Sequence, residues 1–265
     1  MLNNYNLTFK SGSILTKELL DKMYYLPKVV SELEMVDYSD GVISGLHFYK
    51  KDNDLYLSKG IYKHNGKLYL LEKDEKLDPP SGKFDDNYKY VILLEETNNI
   101  NICENISINS IKFSIHQGDV DEFDKDRVVC SFIGSPKLPN TKEDLKERIF
   151  DMLYFKQSIY GNESTFRSEL FKIIYDELLK KANENATLHN LDYSFMEQIE
   201  TRGVVSCEFM RRYVKASGKS LSNIKSRKDL MTSFIESTDK IKGSSVSKTI
   251  SVPVKKTEEH PNIFI

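Results

Sequence analysis

Three apolar-rich runs follow one another within residues 41–71, each opened or bent by glycine. They are Gly41-Val42-Ile43-Ser44-Gly45-Leu46-His47-Phe48, then Leu55-Tyr56-Leu57-Ser58-Lys59-Gly60-Ile61-Tyr62, then Asn65-Gly66-Lys67-Leu68-Tyr69-Leu70-Leu71. Short polar turns separate them. Runs of this length between Gly, Asn and Asp clusters read as neighbouring antiparallel strands, so this stretch is predicted to be a β-meander. It contains no catalytic residue order, and it points to a part that holds other parts.

The two-residue period persists to about residue 136. Candidate strands are 42–49, 55–62, 67–71, 88–95, 107–115 and 127–133, with loop chemistry at Asp78-Pro79-Pro80-Ser81-Gly82 and Asp85-Asp86-Asn87. Along 107–115 the apolar residues change sides, which predicts a bulge or a strand buried on both faces. Ahead of the meander, Leu7-Thr8-Phe9 reads as a strand and Thr16 as the N-cap of a helix carrying Leu19, Leu20, Met23, Tyr24 and Val30. Pro27 predicts a kink or two short helices there.

Beyond Pro136 and Pro139 the period becomes helical. Thr141-Lys142-Glu143-Asp144 resembles a capping box with Asp in the Glu position, followed by Leu145, Ile149, Met152 and Leu153 on one face. A second helix follows Asn162 with Phe166, Leu170, Ile173, Ile174 and Leu178, and a third runs from near Asp192 to about Gly218. A fourth begins at Ser226-Arg227-Lys228-Asp229. Short connections predict an antiparallel bundle. Val246, Ile250, Val252 and Val254 then alternate with polar residues before the tip Ile263-Phe264-Ile265, so this end reads either as a strand for a sheet edge or as a loose terminus. The predicted class is α+β: a β-rich domain (meander or sandwich with one leading helix) over 1–138, a helical bundle over 139–240 and an extended C-terminal arm over 241–265.

With 265 residues the chain can bury one sizeable core or two modest ones. A formal net charge of −2 supplies no overall field for nucleic acid, and 29% charged residues with no long apolar run argue against membrane insertion. Met1-Leu2-Asn3-Asn4-Tyr5 lacks the charge and apolar stretch of a secretory signal, which predicts a product made in the cytosol without a signal peptide. Cys103, Cys130 and Cys207 are odd in number and far apart, so they are expected to be buried or inert thiols rather than a disulfide framework.

Each pattern that would carry chemistry fails on inspection. Ser217-Gly218-Lys219-Ser220 imitates the end of a phosphate-binding loop, but Tyr213 stands where its first glycine belongs and a helix precedes it. It reads as a helix C-cap and turn. His47, His64, His116, His189 and His260 lack zinc-ligand spacing, and Phe123 and Asp124 break a calcium-loop pattern in the acidic stretch 118–126. No cofactor or metal ligand set is predicted. Two minor readings stay open: an enzyme assembled from distant residues around His116 and the acidic loop, and a nucleic-acid-binding or regulatory protein using the basic helical surface 211–228 (Arg211, Arg212, Lys215, Lys219, Lys225, Arg227, Lys228).

Residues 8–71 resemble a module near the front of baseplate and tail-fibre-attachment proteins of contractile phage tails and phage-tail-like bacteriocins. The match lies in Asp40-Gly41-Val42-Ile43-Ser44-Gly45-Leu46, in Leu55-Tyr56-Leu57-Ser58-Lys59-Gly60-Ile61 and in Asn65-Gly66-Lys67-Leu68-Tyr69, with Ser11-Gly12-Ser13-Ile14-Leu15-Thr16 similar to the opening segment of such proteins. The resemblance implies a non-enzymatic structural subunit, assembled into a tail or tail-like particle as a homo-oligomer that contacts fibres or other baseplate subunits. The helical half does not match a repetitive fibre shaft, which favours an adaptor or baseplate component; the baseplate component of type VI secretion systems is a neighbour by architecture. Gly41, Gly45, Gly60 and Gly66 are then the expected structural turns, and Ile263, Phe264 and Ile265 the expected partner contacts.

Overall fold

The computed structural model describes residues 14, 16–103, 106–184 and 188–240, with the side chains of 98–103, 106–108 and 240 left undescribed. The predicted strand at Leu7-Thr8-Phe9, the arm 241–265 and its tip Ile263, Phe264 and Ile265 therefore lie outside the described residues.

The chain is mixed α and β, with antiparallel sheets in its N-terminal part and helices in its C-terminal part. The leading helix α1 (Lys17–Glu34) starts at Thr16, whose side chain accepts from the Leu19 amide. It runs as one element through Pro27 rather than as two short helices. At its far end Lys63, itself buried, donates to the carbonyls of Met35 (2.6 Å), Val36 (3.3 Å) and Tyr38 (2.5 Å), a cation placed on the negative end of the helix.

The predicted meander is present in chain order but broken across two sheets. Run one becomes β1 (Gly41–Gly45) and β2 (Phe48–Lys51), and run two becomes β3 (Asp54–Leu57) and β4 (Gly60–His64), followed by β5 (Lys67–Leu71) and β6 (Glu75–Leu77). Strands β2-β3-β6 form one sheet and β1-β4-β5 another. The first hairpin thus bends in its middle. There Leu46 takes a left-handed φ of 53°, its amide donates to Lys59 O (3.2 Å), and the Ser58 amide donates to His47 O (2.9 Å). The β4–β5 turn needs two left-handed residues and has them in Asn65 (φ 50°) and Gly66 (φ 74°), the Asn-Gly pair that matches strand twist.

The third sheet has the order β10-β9-β7-β8, built from β7 (Lys89–Cys103), β8 (Ile106–Gln117), β9 (Val128–Ile133) and β10 (Phe150–Asp151). The long β7–β8 hairpin shifts register between Thr97 and Ile100 and again between Asn101 and Cys103, so the irregularity opposes the strand where apolar residues change sides. Strand β10 corrects the prediction of a helix through Leu145, Ile149, Met152 and Leu153. Helix α2 (Lys142–Glu147) has its capping box at Thr141 and Asp144, but Arg148 turns left-handed (φ 56°) and Phe150 then pairs with Phe132, their rings stacked at 4.9 Å.

Four longer helices follow: α3 (Ser168–Asn183), α4 (Asn190–Arg202), α5 (Cys207–Ala216) and α6 (Arg227–Lys240). The single predicted helix from Asp192 to Gly218 is two, because Gly203 (φ 73°) closes α4 and its amide caps Ile199 O at 2.9 Å. Buried Tyr213 of α5 donates to buried Asp192 of α4, and buried Lys142 of α2 bridges Asp239 of α6 (2.5 Å) and Glu177 of α3 (3.4 Å). One apolar cluster runs without a break from Val42 and Leu55 through Phe132 and Phe150 to Phe195 and Phe234. Cys130 and Cys207 are buried free thiols, and burial raises the pKa of both. Among the described residues no helix is long and apolar enough to cross a membrane.

Candidate functional site

The bent hairpin is tied to the chain segment that precedes α3. Residues 39–42 lie along residues 156–159: the Val42 amide donates to Lys156 O (2.9 Å), the Ser158 amide to Val42 O (2.9 Å), and the Ser39 amide to Ile159 O (3.0 Å). Gln157 adds its side-chain amide to Val42 O (2.7 Å) and the Ser158 hydroxyl donates to Ser39 O (2.6 Å). Glycine is required at the first contact. A Cβ on Gly41 (φ 138°) would stand 2.8 Å from both Lys156 O and Ser158 N.

Gly45 and Gly60 face each other in the β1–β4 register, at the bend of the hairpin. A Cβ on Gly45 would meet Lys59 O at 2.1 Å, and one on Gly60 would meet Ser44 O at 2.4 Å. The two strands approach as backbone on backbone. Gly66 differs in kind, since its missing Cβ faces open space and only its φ calls for glycine.

Arg167, 1% exposed, locks this bend from the opposite half of the chain. Its Nη2 donates to Gly45 O (3.0 Å) and Leu46 O (3.1 Å) and lies 3.1 Å from Glu169 Oε1; Nη1 donates to Gln157 Oε1 (2.8 Å). The guanidinium lies over Phe155 at 4.8 Å, and its Nε is the one buried side-chain N or O among the described residues without a hydrogen-bond partner. Burial pulls the Arg167 pKa down, opposed by the Glu169 carboxylate. Half-buried Arg227 holds the other side of the same loop, donating to Leu153 O (3.3 Å), Ser164 O (3.0 Å) and Thr165 O (2.8 Å) with its guanidinium 4.4 Å above Phe166. Loop 153–167 is therefore a clasp between the bent hairpin and the helices: Arg167 satisfies carbonyls of the hairpin, and Arg227 satisfies carbonyls of the loop itself.

At the rim of the clasp Glu169 accepts from both Arg167 and the His47 ring (Nδ1–Oε1 2.7 Å), and His47 is half exposed. Desolvation would raise the Glu169 pKa, yet the His47 hydrogen bond and the Arg167 charge outweigh it and hold it at about 2. A carboxylate depressed in this way contributes stability above its unfolded value, and the contribution disappears as pH falls from about 4.5 towards 2. It amounts to roughly 3 kcal/mol at neutral pH, and Glu169→Gln should flatten the stability profile across that acid window in urea titrations at stepped pH.

The other flagged residues are dispersed. His116 pairs with Glu95 (3.0 Å) and Ser114 (2.9 Å), with its ring against Phe123. In the acidic loop Asp119 meets Lys89 (2.6 Å) and Asp121 meets Lys125 (3.1 Å). On the basic surface Arg211 makes a fork with Glu163, Arg212 pairs with Glu208, and Lys219 pairs with Glu236, so much of its charge is already matched. Gly218 (φ 82°) follows the end of α5, as a C-cap and turn. A cavity of ≈ 240 Å³ between α2, β10 and α6 is lined by Leu145, Phe150, Met152, Met231 and Ile235 together with Arg148 and Asp151. Among the described residues no three His, Cys, Asp or Glu side chains gather as a metal site.

No local pattern marks Arg167, Gln157, Glu169 or Lys63 in the sequence: the Arg167–Glu169 pair apart, the contacts that give them their roles span 10 to 122 residues. Comparison with protein-family models, curated proteins and solved structures finds no match.

Proposed function

We propose that this protein is a structural subunit of a contractile tail baseplate, or of the equivalent part of a phage-tail-like particle, joining the tail to fibres or neighbouring subunits. The reading rests on one observation. Within the segment that resembles the baseplate module, residues 8–71, residues 41–64 form a sharply bent hairpin whose bend is fastened from behind by Arg167. A connector that transmits force between neighbours needs a joint with few soft torsions, and paired glycines closed by a buried guanidinium supply one. The helices α3 to α6 serve in this reading as a bundle docked on that joint, and the arm 241–265 with Ile263, Phe264 and Ile265 as a further contact for adjacent subunits. The subunit acts by binding rather than by catalysis, works in symmetric copies, and is made in the bacterial cytoplasm before assembly.

The basic surface 211–228 gives less support to nucleic-acid binding than its composition suggests, because Arg211, Arg212 and Lys219 are paired with carboxylates and Arg227 is spent on carbonyls. The test is purification of induced particles from the producing cell, followed by immunogold electron microscopy against this chain. Label at one end of sheathed particles is the expected result. Particles that assemble fully and lack the chain refute the proposal.

A further inference from the structure

The ≈ 240 Å³ cavity between α2, β10 and α6 has two kinds of wall. Leu145, Phe150, Met152, Leu170, Met231 and Ile235 make it largely apolar. A dry apolar cavity of about 150 Å³ holds a benzene ring. This one has room for a phenyl, thioether or isobutyl group together with the atoms that carry it.

Five charged residues also line the cavity, and three of them are matched by groups of the protein. Asp144 accepts from the Asn140 and Thr141 amides (2.9 and 3.0 Å), Lys146 reaches Asp239 (3.3 Å), and Glu236 pairs with Lys219. Arg148 and Asp151 differ. Arg148 donates to Thr232 (Nη2–Oγ1 2.9 Å), while its Nη1 stands 3.6 Å from Asp151 Oδ2, beyond hydrogen-bond reach. Among the described residues Asp151 accepts one hydrogen bond, from the Leu153 amide to Oδ1 (3.2 Å), although its side chain is only 16% exposed. Desolvation raises its pKa against the nearby charges of Arg148 and Lys228, so a further cation beside Oδ2 would be stabilising.

A donor fork and an acceptor, neither closed on the other, thus stand side by side at an apolar hollow. That pair is complementary to a carboxylate and an ammonium carried on one carbon. A plain hydrocarbon would leave both charges unmatched, and a peptide segment would offer them neutral amides. A fatty acid would serve Arg148 but set a second anion against Asp151.

We propose that this cavity binds a free α-amino acid with a large apolar side chain, of the leucine, methionine or phenylalanine class. Arg148 meets its carboxylate, Asp151 its ammonium, and Phe150, Met152 and Met231 its side chain. The proposal stands apart from the tail-particle reading, since it is tested on the free protein.

The test is titration calorimetry of the full chain with L-leucine and L-phenylalanine. Beside them run isocaproate and hydrocinnamate, which lack the ammonium, and isoamylamine and phenethylamine, which lack the carboxylate. At least one amino acid should bind with Kd below about 1 mM, and its two analogues about 10-fold more weakly or worse. Arg148→Gly should weaken amino-acid binding by a similar factor without unfolding the chain, because glycine adopts the left-handed φ of 56° held there at no steric cost. In methyl-labelled protein the Met152 and Met231 signals should move on titration. Failure of both amino acids to bind at millimolar concentration overturns the proposal. So does equal affinity for an analogue lacking either charge, an Arg148→Gly protein that binds as tightly as the wild type, or shifts confined to the other methionines.

Discussion

Arg167→Leu should lower folding stability by about 3–5 kcal/mol, the range for breaking a buried ionic cluster by deleting one partner. The side chain is 1% exposed, so water does not replace it, and the change leaves Gly45 O, Leu46 O and Gln157 Oε1 without its donors. Glu169 would lose the cation that helps hold its carboxylate ionised. Arg167→Lys should recover little of the loss, because an ammonium cannot reach acceptors on both sides of the fork and stack on Phe155 at once. Urea midpoints with unchanged m-values check both variants. A loss under about 1 kcal/mol for Arg167→Leu would show that the clasp is closed by other contacts.

Gly45→Ala and Gly60→Ala should each cost about 3 kcal/mol or more, while Gly66→Ala should cost about 1 kcal/mol. The grading follows from geometry. At positions 45 and 60 the added carbon would stand 2.1 Å and 2.4 Å from a backbone oxygen of the opposing strand, whereas at 66 nothing lies within 4 Å and only the left-handed φ is penalised. Relief at the bend requires the strands to part, which breaks the Leu46–Lys59 and Ser58–His47 backbone hydrogen bonds as well. Thermal unfolding of the three variants side by side checks the order; equal losses would reduce these glycines to a common propensity effect.

Much of the local structure was legible because its causes are local. Thr16, Thr141 and Ser226 each accept from or frame a helix amide three residues on, and Asn65-Gly66 makes a two-residue turn, so a handful of neighbouring side chains specifies each feature. Where the structure departs from the periodicity, a single residue competes with the pattern around it. Arg148 ends α2 after six residues by turning left-handed, and the Phe150 ring stacks on Phe132 of β9, so Met152 and Leu153 follow a strand instead of continuing the helical face. Gly203 divided α4 from α5 although the apolar period continued on both sides.

By itself the sequence determined that a strand-rich part precedes a helix-rich part, where most helices begin, and that Asn65-Gly66 makes a turn of two left-handed residues, since those follow from backbone sterics and contacts a few residues apart. Only the tertiary structure decided that Gly45 lies against Gly60, that the hairpin bends between two sheets, and that Arg167 closes the bend from 122 positions downstream. It also decided that no residue of α1 is buried. A guanidinium has no preferred partner along the chain; which carbonyls it meets is settled when distant elements pack and water is excluded from the space between them.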